Sequence, residues 1–448
     1  MPTIINNSTF LDAFGAGQYT SQQYQAVAAA TLSTDARVIG NANQAITDLL
    51  QYGPTASTFS GVGHDTQVTV GLMLERAAPQ SQLDNLLGGS WGQRHTALAA
   101  FPDQASLWAT YGANAGTYNT VTTQIQTALA GIAGADPFTT AAAAGYISTA
   151  ADRTIWLTLN PEQFTTLFNS ALFQVSNTLA GTTTLAWTGN LAFNDAISAS
   201  SAAAIQGLWV ESNAALTNPL VTASTLVAPT LGPLGVGNAT ENKVVATPAA
   251  IAAGYHFPLS ASVATDAVAL VETTYGSTAA LTSGYNQYRQ ALGLAPGTLQ
   301  YASGANLGGS ASSELTLDMS VVAGAVPNST IRMYSDLGGT PFNAYQQIFF
   351  DANRPGVLSS SFPIVAQSTA NSPFQWAFQQ LMKDGVLANV TVHMAGGDEG
   401  ASAAIANGNV NVTSGHSSPY TILVGGTSIA TLSAALADPT LTTPTRIV

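Results

Sequence analysis

Not one of the 448 residues is cysteine. That excludes disulfides, a cysteine nucleophile and thiolate metal sites. Charge is nearly as scarce. Asp, Glu, Lys and Arg make up 7% of the chain, with ten basic residues against 23 acidic ones and a net charge of −13. Nucleic acids and anionic membrane surfaces both require basic patches, so neither is expected as a partner. Long apolar runs are missing too, and no stretch reaches the roughly 18 residues of a membrane span. The N-terminus, MPTIINNSTFLDAFGAGQY, has neither a basic start nor an apolar core, so no secretory signal peptide is expected there. What remains for the surface is Thr, Ser, Asn, Gln, Gly and Ala. A neutral, hydrogen-bonding surface of that kind suits an acidic, extracellular or cell-surface setting, reached by an export route that reads another signal. Hydrophobic residues still account for 46% of the chain, enough at this length to build cores in two or three domains.

The apolar spacing divides the chain. Residues 1–60 read as a helical N-terminal extension, carried by TSQQYQAVAAATL and ANQAITDLLQYG, and YGPTASTFSGVGHD reads as a linker. Residues 61–225 read as an α+β unit with strands in TQVTVGLML, RTIWLTLN and LAWTGNLAFN. Helices fall in SQLDNLLGG, FPDQASLWATYGA, NTVTTQIQTALAGI and PEQFTTLFNSALF, the last with Pro in its first turn. That order is consistent with a ferredoxin-like sandwich. Residues 226–246 lie in the Pro/Gly/Asn-rich stretch VTASTLVAPTLGPLGVGNATENKVVAT, which reads as a linker open to proteases. From 247 to 448 strands and helices alternate in a doubly wound parallel pattern. Its strands are DAVALVETT, STIRMYSD, GVLSSSF, NVTVHMAGG and YTILVGGT. Its helices are SGYNQYRQALGL, ELTLDMSVVAGAV, FNAYQQIFFDA and SPFQWAFQQLMKDG, the last started by Ser-Pro and stopped by Gly.

Three stretches carry candidate chemistry. In SSELTLDMS, Glu314 and Asp318 are spaced i, i+4 and share one helix face. Like charges there cost a few tenths of a kcal/mol, so the pair is either a solvated face or two carboxyls sharing a proton, one with a raised pKa. In VTVHMAGGDEGASAA, Asp398 follows a strand through Gly396 and Gly397. Loops after parallel strands carry ligands, but an Asx-turn or a helix N-cap explains the aspartate equally. The third stretch, SSPYTILVGGTS, is by itself a buried strand between turns. The five histidines, His64, His95, His256, His393 and His416, are scattered and form no metal motif; His393, in an apolar strand, reads as structural. No dinucleotide fingerprint, P-loop or EF-hand loop is present, and GPLGVGNAT is a lone glycine-rich loop.

These stretches arrive in the order and near the spacing of the sedolisin family, the serine-carboxyl peptidases related to kumamolisin and tripeptidyl peptidase I. ELTLDMSVVAGAVPNSTIRMY resembles the family's catalytic helix, turn and strand, TVHMAGGDEGA resembles TVLFASGDSGA, and SSPYTILVGGT resembles SSPYVTAVGGT. Upstream, VTVGLMLERAAPQSQLDNLL, FPDQASLWATYGA and RTIWLTLNPEQFTTLFN resemble parts of the family's activation prodomain. The resemblance covers residues 60–430. It implies an α+β ferredoxin-like prodomain followed by an α/β subtilisin-like core with a parallel sheet. It also implies a proenzyme of an acid-active endopeptidase whose substrate is a protein or peptide. Glu314 would then be the general base, Asp318 would orient it, and a protonated Asp398 would donate to the oxyanion.

The match breaks downstream. The family's nucleophile is the serine of GTSxxxP; Thr427 and Ser428 belong to VGGTS instead, so no residue maps to it. The family's C-terminal calcium loop has no counterpart and no other cofactor is implied. SISWG is replaced by LSSSF, and SGDSG by GGDEG. The chain is therefore expected to be either the N-terminal part of such a peptidase, partnered by a C-terminal fragment of the same precursor, or a catalytically inactive, peptidase-derived surface-layer or self-assembling component.

Overall fold

Short polar side chains start most of the helices in this charge-poor chain. In the computed structural model, Ser90, Asp103, Asn114, Asp136, Asn160 and Ser198 each accept a hydrogen bond from a backbone N–H of the first helical turn. Each such cap is worth about 1 kcal/mol over alanine. The structure describes residues 2–6, 8, 57–63, 65–177, 182–187, 190–211, 267–272, 277–302, 313–335, 341–361, 371–396 and 414–425.

The N-terminal part runs β1 (Thr3–Ile4), β2 (Ser57–Gly61), β3 (Val68–Leu74), α1 (Gln80–Gly88), α2 (Trp91–Ala99), α3 (Gln104–Tyr111), α4 (Ala115–Leu129), α5 (Pro137–Ala143), β4 (Thr154–Leu159), α6 (Pro161–Phe168), β5 (Phe173–Asn177), β6 (Thr182–Ala186), β7 (Ala192–Phe193), α7 (Ala199–Ala204) and β8 (Ile205–Val210). One antiparallel sheet has the order β4-β3-β8, a second β2-β5-β6, and β1 pairs with β7. The order β4-β3-β8 places β3 between the next strand in the chain, β4, and β8. Between β3 and β4 the chain forms five helices and no strand, only the isolated bridge Thr149–Thr154, so the expected ferredoxin-like sandwich is not confirmed. The stretch read as a linker contains β2, paired along its length with β5. LAWTGNLAFN does not make one strand: β6 ends at Ala186 and β7 is a separate two-residue pairing. The two helices expected before residue 60 lie outside the described residues.

The C-terminal part runs β9 (Val268–Glu272), α8 (Thr278–Ala291), β10 (Leu299–Tyr301), α9 (Ser313–Ala325), β11 (Ile331–Ser335), α10 (Pro341–Phe350), β12 (Val357–Ser360), α11 (Pro373–Leu387), β13 (Thr391–Ala395) and β14 (Ile422–Val424), with a 3-10 turn at Ser414–Ser417. All six strands are parallel, in the order β10-β11-β9-β12-β13-β14. Numbered within the sheet this is 2-3-1-4-5-6, a mixed α/β architecture consistent with a subtilisin-like core. The chain fills one side of β9 and then crosses to the other, so the carboxyl ends of β9, β11 and β12 meet at a topological switch point, where open α/β sheets bind ligands.

Apolar packing joins the two parts. The Trp209 ring lies on Phe342 with centroids 4.1 Å apart, and Trp108 meets Phe350 at 4.3 Å. Gly71 makes room for Trp209, because a Cβ there would stand 2.1 Å from the indole. A buried ion triad crosses the same junction. Arg76 and Arg153 each place Nη2 2.7 Å from an oxygen of Asp384 on α11. Arg76 also donates to the Tyr111 carbonyl, and Arg153 to that of Leu74. Burial pulls Arg76 down to about 10, which leaves it a cation across the acid and neutral range.

Candidate active site at the carboxyl edge of the parallel sheet

Helix α9 is anchored by one apolar stripe. Leu315, Met319 and Ala323, spaced i, i+4, i+8, are buried against Val268, Leu270, Ile331 and Met333 of the sheet and Leu281 and Tyr285 of α8. Glu314 and Asp318 each sit one residue before a member of that stripe, on its shoulder, and both are part-buried. The opposite side exposes Leu317 and Val321. The acid pair therefore belongs to the border between helix and sheet rather than to a solvated face.

The sheet delivers the partners. β9 is Val-Ala-Leu-Val-Glu, apolar until its last residue, and Glu272 is wholly buried at its carboxyl end. Parallel register sets Ser335 of β11 beside Glu272, and Ser360 of β12 beside Val271, so Ser361 follows at the level of Glu272. Ser361 Oγ donates to Asp318 Oδ2 at 2.8 Å. The Asp318 carboxyl also lies near enough to Glu272 for that group to affect its titration. Neighbouring carboxyls can share one proton, since both are not ionised together at low cost. Burial raises the Asp318 pKa above its ordinary 3.8, the Glu314 charge raises it further, and the Ser361 bond and the nearby Glu272 oppose the rise.

Of the three acids expected from the sequence, Glu314 and Asp318 come together and Asp398 lies outside the described residues. The described approach to Asp398 ends at Gly396, whose N–H donates to the Val424 carbonyl at 2.8 Å. His416 Nε2 lies 3.0 Å from the Ala395 carbonyl and ties the 3-10 turn to the end of β13. SSPYTILVGGTS behaves as a turn and a strand. Ser418 Oγ accepts from the Tyr420 N–H, and Ser417 accepts from Gln375 and Gln379 of α11. The strand itself is not buried: Ile422, Leu423 and Val424 are 49%, 45% and 50% exposed. His95 stacks on Trp91 with centroids 5.2 Å apart, and no group of three or more metal-ligating side chains occurs among the described residues.

Sequence reading missed Glu272 and Ser361. The signal for the first was an acid closing an otherwise apolar strand in DAVALVETT. The second was noticed only as part of LSSSF, where the sedolisin pattern has SISWG.

No protein-family model matches this chain, and no curated protein does. Among solved structures the chain is similar to Pseudomonas sedolisin, a serine-carboxyl proteinase complexed with two molecules of pseudo-iodotyrostatin. Identity is 21% and the TM-score 0.33, over 42% of this chain and 55% of that one. The chain thus spans about half the length of that structure.

Proposed function

We propose that this chain is a carboxyl-based acid peptidase of sedolisin type in its proenzyme form, acting on protein or peptide. The observation that carries the reading is the Ser361–Asp318 hydrogen bond beside the buried Glu272 at the carboxyl edge of the parallel sheet, with Glu314 one helical turn away. A carboxyl pair that shares a proton is poised to accept and return one in the acid range. Its place at the switch point is where a substrate would lie. In this reading Glu314 takes part in proton transfer, and Asp398 on the loop after β13 supplies the oxyanion donor. A C-terminal fragment of the same precursor would complete the substrate cleft. The acid-rich, charge-poor composition fits an acidic extracellular setting.

The test is the intact mass of the 45.7 kDa chain before and after incubation near pH 4. Cleavage within residues 226–246 is expected, and Glu314→Gln should prevent it without changing the melting temperature. Cleavage at the wild-type rate in Glu314→Gln would contradict the role of the acid pair.

A second reading is favoured by a different observation. The Arg76–Asp384–Arg153 triad and the Trp209–Phe342 stack make the junction between the two parts resemble the inside of one domain. Interfaces built to separate are more polar. This supports an inactive, peptidase-derived scaffold for surface assembly, in which the N-terminal part is permanent. When an added protease cuts within residues 226–246, this reading expects the two pieces to co-elute at pH 7 and at pH 4. Their separation at pH 4 would contradict it.

A further inference from the structure

The structure assigns a small-molecule site to the cleft between α8 and α9, one that takes a single neutral aromatic ring bearing one polar group. The site goes beyond the peptidase reading and stands whether or not the chain hydrolyses peptide.

Two helix faces make the cleft. α8 contributes Ala280, Gly284 and Tyr288, spaced i, i+4, i+8, and α9 contributes Thr316, Met319 and Ser320. Thr316 and Ser320 each follow a member of the buried α9 stripe by one residue, whereas Glu314 and Asp318 each precede one. One residue turns a helix by about 100°, so the cleft and the acid pair lie on opposite shoulders of α9.

Gly284 is the residue that points to an occupant. It stands in the interior of α8, where glycine is less stable than alanine. Its φ is not positive, and a Cβ there would meet no packed neighbour within 4 Å. Neither the backbone nor internal packing therefore requires a glycine. The missing side chain keeps the cleft open at the centre of the α8 face.

The lining sets the class of ligand. The cleft holds about 200 Å³. An apolar cavity of about 150 Å³ accepts benzene, so one ring with a small substituent fits. No charged side chain lines the cleft, so a charged ligand would lose water without gaining a partner. Tyr285, Tyr288 and Met319 offer the ring edges and thioether that an aromatic ring favours. Arg289 stacks over the Tyr285 ring at 5.5 Å and donates to its hydroxyl, which holds that wall in place. The ligand's polar group finds partners at the rim. The Tyr288 hydroxyl has no hydrogen bond to a described residue, and Gln287 donates to Ser283 beside it. A few placed polar groups around an apolar hollow are the usual make-up of a small-molecule site.

The test titrates the full chain with p-cresol and follows isotope-labelled methionine methyls by NMR. Met319 alone of the six methionines lines the cleft, so the ring current of the bound probe should move its resonance most. The expected result is a saturable Met319 shift with a dissociation constant of about 1 mM or below. Gly284→Leu fills the cleft with a better helix former. It should weaken p-cresol binding at least about tenfold without lowering the melting temperature. The titration of the unmutated chain decides the question where Gly284→Leu does not fold. N-acetyltyrosinamide separates the two sources of such a ring. Binding of both probes assigns the cleft to a tyrosine side chain of a peptide, and binding of p-cresol alone assigns it to a free phenol. No saturable Met319 shift with p-cresol up to about 10 mM, or equal binding by Gly284→Leu, overturns the site and leaves the peptidase reading untouched.

Discussion

Single carboxyls set how this molecule responds to pH. Asp152, just before β4, is 7% exposed and its pKa is pushed up from 3.8 to about 7. Burial is the main cause, opposed by the Thr154 N–H at 2.9 Å, by Thr149 and by the Arg153 charge. A group protonated more readily in the folded state stabilises the fold at low pH, and that stability is lost as pH rises through the folded value. The window here runs from about pH 4 to about pH 7, and each pH unit within it is worth roughly 1.4 kcal/mol. Chemical denaturation should therefore show stability falling across this window. Asp152→Asn should flatten the slope while leaving stability near pH 4 within about 1 kcal/mol of the wild type. An unchanged slope would show that Asp152 is not the group responsible. The same physics acts on Asp318, so the site and the scaffold both favour acid conditions.

At the scale of elements, most of the secondary structure was legible and the exceptions have physical causes. Helix α9 was readable because Leu315, Met319 and Ala323 repeat at helical spacing, and β13 because its β-branched residues follow a turn. The stop at Gly385 was misread. Helix α11 continues to Leu387, and the positive φ of 57° falls on Asn389. Gly385 is there for packing: a Cβ on it would stand 2.9 Å from the Phe349 ring, which is fully buried. Two effects compete in Gly385→Ala. Helix propensity gains about 1 kcal/mol, while overpacking against an immobile ring costs about 1–3 kcal/mol. Because Phe349 has no free space to move into, the variant should lose about 1–2 kcal/mol in thermal or chemical unfolding. A gain in stability would mean that the α10–α11 contact is looser than described. Glu272 escaped notice for a related reason. Strand periodicity announces apolar faces but says nothing of which strand end meets which helix.

At the scale of the whole molecule, the parallel sheet order was foreseeable only as a pattern of alternating strands and helices. Nothing in the sequence states that β9 sits between β11 and β12, yet that placement brings Glu272, Asp318 and Ser361 together from segments far apart in the chain. The ion triad was equally hidden, since Arg76, Arg153 and Asp384 share no motif. The acid pair Glu314 and Asp318 could be picked out because two acids at i, i+4 stand out on an otherwise apolar helix. The central claim is that the carboxyl pair Glu314 and Asp318 moves the proton in peptide hydrolysis. The most direct test is the pH–rate profile of peptide hydrolysis by the full chain beside Asp318→Asn. The account predicts wild-type hydrolysis in the acid range, rising as pH climbs through an Asp318 value above 3.8, and none in Asp318→Asn, with equal melting temperatures. Equal rates in the two proteins, or a wild-type chain inert at every pH, would contradict it.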